Sequence, residues 1–95
     1  MIERLENQLE KEARDLRVLT AVIEHQPVGI VRLSSITELE EHKVRYSLRM
    51  LENDGLIDPT PNGAVVADDV EERIETLNEG IDDLIEHVET IREFA

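Results

Sequence analysis

The sequence predicts a mainly α-helical chain carrying one small β-hairpin. Three observations predict it. Two segments, about Ile2 to Glu24 and about Val70 to Phe94, repeat apolar residues in steps of three and four. Between them, Val44, Leu48 and Leu51 fall at i, i+4 and i+7, the buried stripe of a shorter helix. Two short runs then flank "TPNG", whose Pro61 and Asn62-Gly63 pair are strong reversal residues.

The first helix carries Ile2, Leu5, Leu9, Leu16, Leu19 and Ile23 at heptad a and d spacing, with Glu12 interrupting one d site. Val18 and Val22 widen the apolar face toward its C-terminal end. That half is expected to enter a core, and the N-terminal half to project toward a partner. Glu10 and Arg14, spaced i, i+4, support the helix weakly. "HQPVG" (25–29) ends it, because Pro27 cannot continue the ladder.

A short helix is expected over about Gly29 to Ser35, with Ile30 and Leu33 facing inward. Thr37 and Glu40 have the spacing of a capping box. The next helix therefore starts at about Glu38 or Glu40 and runs to Asn53. Gly55 suits the left-handed position that closes it. Leu56 to Asp58 and Ala64 to Val66 read as the two strands. Asp69, with Glu72 three residues on, is a candidate cap for the last helix. Its seam is Val70, Ile74, Leu77, Ile81, Leu84, Val88 and Ile91. Gly80 interrupts it at about 1 kcal/mol relative to Ala, and either permits close helix approach or is slack.

Helix, short helix, turn, helix, two-stranded hairpin is the order of a winged helix-turn-helix. The reading is one domain: an N-terminal helix (1–24), a winged core (25–67) and a C-terminal dimerisation helix (68–95). The stretch "RLSSITELEEHKVRYSLRMLENDGLIDPTPNGAVV" (32–66) resembles the core of small archaeal winged-helix transcriptional regulators. Leu48, Leu51, Glu52, Gly55, Leu56 and Ile57 fit that family's "L…LE…GLI" ending of the recognition helix. The resemblance covers about a third of the chain. It implies a DNA-binding regulator with dimerising flanks.

Composition bounds the rest. At 95 residues the chain has room for one small core, and with only Tyr46 and Phe94 aromatic that core is aliphatic. No cysteine occurs, which excludes disulfides, thiolate metal sites and cysteine nucleophiles. The charged start lacks an apolar h-region, and no apolar run is long enough to span a bilayer. The expectation is a cytoplasmic protein without a membrane partner. The formal net charge is −13, with two lysines against eight arginines. Acid-rich, lysine-poor surfaces suit cytoplasms of very high salt, where self-repulsion is screened. A halophilic source follows, an ordinary acidic protein being the alternative.

Against that acidity, the helix expected over about 38–53 gathers His42, Lys43, Arg45, Tyr46 and Arg49. A recognition helix presents its N-terminal part to base edges in the major groove. His42 and Arg45 are the candidate base contacts, since Arg can hold guanine O6 and N7 with two bonds. Glu41 can accept from cytosine N4 or repel phosphates. Lys43, Tyr46 and Arg49 are candidate phosphate contacts, which set register rather than sequence, and Arg32 can touch the backbone as well. The hairpin contains no Lys or Arg, so its contact is expected to be weak, through Thr60 or Asn62. "ELEE" (38–41) favours the helix dipole but opposes phosphate approach.

The flanking seams predict a homodimer, through Ile2, Leu5 and Leu9 of the first helix and the seven seam residues of the last. A two-fold dimer sets two recognition helices about 34 Å apart on double-stranded DNA. The alternative is an antiparallel pairing of the two long helices within one chain. His25, His42 and His87 are scattered, and no phosphate-loop, dinucleotide or metalloprotease motif occurs. The chain is therefore expected to be neither an enzyme nor a metal or cofactor binder. The competing function is a non-catalytic protein-interaction adaptor; no small-molecule effector site is legible.

Overall fold

The structure is a computed structural model and describes residues 1–94. Its elements are α1 (Ile2–His25), α2 (Ile30–Thr37), α3 (Glu41–Asn53), β1 (Ile57–Thr60), β2 (Gly63–Val66) and α4 (Val70–Glu93). Among the described residues the protein is mainly helical, with four helices and one two-stranded antiparallel hairpin.

The core lies where α1, α2 and α3 meet the hairpin. Val18, Leu19 and Val22 of α1 pack with Leu33 of α2, with Val44, Leu48 and Leu51 of α3, and with Ile57 of β1. The predicted stripe of α3 is thus buried, and the core is aliphatic. In α1 the core residues and most of the heptad residues occupy different faces, Leu19 belonging to both sets. At about 100° per residue, Val18, Leu19 and Val22 point inward, while Ile2, Leu5, Leu9, Leu16 and Ile23 run along the opposite side and are exposed. Leu16 and Ile23 therefore stay outside the core that the C-terminal half of α1 was expected to fill with them. A helix between a core and solvent needs only one buried stripe, and Val18 and Val22 supply it.

Three local expectations are corrected. Helix α2 runs two residues further than expected, to Thr37. Thr37 is buried, and its hydroxyl donates to the Leu33 carbonyl at 2.6 Å, so no Thr37–Glu40 capping box forms. Glu38, left-handed at φ 58°, closes α2, and α3 begins after Glu40 without a side-chain cap. Asp69 stands at the expected N-cap position of α4 but makes no side-chain cap bond; its carboxylate accepts from Arg73 Nε at 2.9 Å. A guanidinium one turn away offers a charge-assisted bond that outcompetes a backbone amide.

The strands are each four residues, longer than expected, with Ile57 opposite Val66 and Thr60 opposite Gly63. Val28 adds a third, one-residue rung: its N–H donates to the Ala64 carbonyl at 3.1 Å and its carbonyl accepts from Ala64 N–H at 2.8 Å. That close approach dictates glycine at 63. Its φ is 124°, and a Cβ there would lie 2.6 Å from the Val28 backbone. Gly55 takes the expected left-handed conformation after α3, at φ 73°.

Helix α4 is anchored only at its start. Val70 and Ile74 are half-buried, and no residue of the helix is fully buried. Arg73 bonds Asp69 and also donates through Nη1 to the Asp54 carbonyl at 3.3 Å, tying α4 to the end of α3. The radius of gyration, 15.3 Å, exceeds the roughly 13 Å of a compact chain of this length. Among the described residues no helix is long and apolar enough to cross a membrane.

Candidate nucleic-acid interface

Helix α3 is the element that carries the candidate residues, and its wheel decides how each is presented. Val44, Ser47, Leu48 and Leu51 are buried. The opposite face holds His42, Tyr46 and Arg49, with Arg45 on one flank and Lys43 on the other; all five are exposed. Glu41 lies exposed in the first turn, and Arg32 is exposed on α2.

Electrostatically these cations are free. Among the described residues the ion pairs of Lys and Arg are Arg14 with Asp15 at 4.0 Å and Arg73 with Asp69 at 2.9 Å. Arg32, Lys43, Arg45 and Arg49 have no carboxylate within that range, although acids outnumber bases 23 to 10 in the sequence. His42 differs: its Nδ1 lies 3.3 Å from the Glu40 carboxylate, and both side chains are largely exposed. One of the "ELEE" carboxylates is thus turned to His42 rather than to open solvent.

Two candidates are partly occupied by the protein itself. The Tyr46 ring receives the Arg14 guanidinium, whose central carbon is 5.3 Å from the ring centroid. Tyr46 therefore braces α3 against α1 while remaining 45% exposed. Thr60 closes the hairpin tip, its hydroxyl donating to the Gly63 carbonyl at 2.6 Å and accepting from Asn62 N–H at 3.2 Å. Asn62 keeps its side chain exposed at the tip.

Residues of α1 that sequence reasoning left aside also border α3. Arg14 Nε donates to the fully buried Ser47 Oγ at 3.1 Å, and Arg17 Nη2 donates to the Thr37 carbonyl. Lys11, Arg14 and Arg17 line a cleft of about 490 Å³ together with Lys43 at the start of α3. The available signal was helical phase: Lys11 and Arg14 share the face of Val18 and Val22, so they had to lie on the α3 side of α1.

The dimerisation candidates divide in two. Val70 and Ile74 are half-buried within the chain itself. Ile2, Leu5, Leu9, Leu77, Ile81, Leu84, Val88 and Ile91 are exposed by 39% to 70%. No group of His, Cys, Asp or Glu among the described residues is arranged to hold a metal ion. No protein-family model matches this chain, and no curated protein is similar to it at a significant level.

Proposed function

We propose that this protein is a winged helix-turn-helix DNA-binding regulator of the small archaeal type, acting as a homodimer with α3 in the major groove. In this reading α2 and α3 are the helix pair and β1–β2 the wing. One observation carries it: α3 presents Arg45 and Arg49 exposed and without an ion pair, in a chain of net charge −13. A solvated surface gains little from holding cations apart from so many available carboxylates, whereas a polyanion gains directly. Arg45 and His42 read base edges, while Lys43, Arg49 and Arg32 hold the backbone.

The dimer is supported by the charge pattern of α4. Its acids lie mostly on the back of the helix. The positions flanking the seam hold Glu71, Arg73, Asn78, Gly80, Ile85, His87 and Arg92. Two copies can therefore close on the exposed seam without bringing most carboxylates together.

The test is DNA retention in molar salt. Arg45→Ala and Arg49→Ala should each lower retention, and unchanged retention in both ends the regulator reading. The exposed seams of α1 and α4 equally suit an adaptor that bridges proteins, which needs no DNA retention at all.

A further inference from the structure

Helix α3 lies between two clefts of opposite character. On the hairpin side, a cleft of about 410 Å³ runs from Leu48 and Glu52 to Thr60 and Asn62, and Glu52 is its one charged residue. On the other side, the α1 cleft holds Lys11, Arg14, Arg17 and Lys43 against a single carboxylate, Glu10. It continues into a second hollow where Lys11, Arg14 and Lys43 meet His42 and Tyr46, on the exposed face of α3. Four of the chain's ten Lys and Arg residues thus converge on one flank of α3.

The four cations differ in what they are free to do. Arg14 is held by Ser47 and Tyr46 and pairs with the Asp15 carboxylate at 4.0 Å, and Arg17 is held by the Thr37 carbonyl. These two fix the cleft wall, Asp15 offsetting part of the Arg14 charge. Lys11 and Lys43 have no hydrogen bond or ion pair from their ammonium groups among the described residues. An ammonium on a flexible stem is a point charge suited to a phosphate oxygen.

We propose that α1, through Lys11 in this cleft, grips the DNA phosphate backbone on the side of α3 away from the hairpin. This rests on the DNA-binding reading and adds to it a second element and a residue outside the helix pair. It also accounts for a cation-free wing: the flanking backbone contact sits on α1, and the duplex is displaced toward it. Because a phosphate contact carries no base information, Lys11 contributes affinity and not sequence preference.

The experiment compares the full-length protein with Lys11→Glu, Lys11→Gln and Arg49→Ala, on a duplex enriched from a random pool and on a scrambled duplex. Lys11→Glu should weaken both duplexes by the same factor, about fivefold for the loss of one phosphate contact at moderate salt. Lys11→Gln should weaken both in the same direction and less. Lys11 is exposed, so helix content by circular dichroism should be unchanged. As an independent readout, the chain has no cysteine, so single Cys variants at 11 and at 58 can each carry an iron-chelate cleavage reagent. Cutting of the duplex should be stronger from 11 than from 58. Unchanged binding by Lys11→Glu, or weaker cutting from 11 than from 58, overturns the proposal while loss of binding by Arg49→Ala keeps the DNA reading. Equal retention by all these variants and by Arg45→Ala overturns both.

Discussion

Helices α1 and α4 are both 24 residues long and both carry an apolar seam, yet they do opposite work. Helix α1 has two apolar faces, one built into the core through Val18, Leu19 and Val22, the other exposed. Helix α4 has a single one, and beyond Ile74 it is exposed along its length. A periodic seam therefore does not by itself tell whether a helix belongs to the core. The β-branched residues added to α1 outside the heptad decide that; α4 has only Ile85 and Thr residues to add, and gains no inner face.

The two helices differ most at Leu19, which is 3% exposed. Leu19→Ala should cost about 3 kcal/mol in urea unfolding, since it opens a cavity in a packed core. A cost near zero would mean that α1 is no more built in than α4. Gly63→Ala comes next, at about 2 kcal/mol, because it forces a strained backbone against Val28 in the segment between α1 and α2. Gly80→Ala tests α4. Nothing lies within 4 Å of a Cβ there, so the change should raise the stability of α4 by about 1 kcal/mol. If the helices of two copies meet most closely at Gly80, dimer affinity should fall instead, which sharpens where the seam is used. The smallest effect on the core is expected from Leu84→Asp, within about 0.5 kcal/mol for a surface site. The same variant should reduce the mass by light scattering in high salt from twice 10.9 kDa to 10.9 kDa. A wild-type mass of 10.9 kDa removes the dimer.

Much of the arrangement was legible because it depends on local chemistry. Pro27 ends α1, Gly55 closes α3, Pro61 and Asn62 reverse the hairpin, and the Val44–Leu48–Leu51 stripe faces the core. The side-chain cap bonds at the helix starts were not legible, since Thr37 and Asp69 each had a competing partner one turn away, the Leu33 carbonyl and Arg73. At the candidate interface, the exposed cations of α3 follow from its buried stripe alone. Lys11 and Arg14 were overlooked because they are remote in sequence from that helix.

By itself the sequence determined the periodicity of three helices, a tight hairpin, an aliphatic core and a basic cluster in an acidic chain. These depend on backbone torsion preferences, side-chain spacing and charge count, all of which act over a few residues. Only the tertiary structure decided which face of α1 is buried, that Val28 joins the hairpin and makes Gly63 obligatory, and that Lys11 stands beside Lys43 and His42. Each of those is a contact between segments distant in the chain, set by how the helices pack rather than by any residue's own preference.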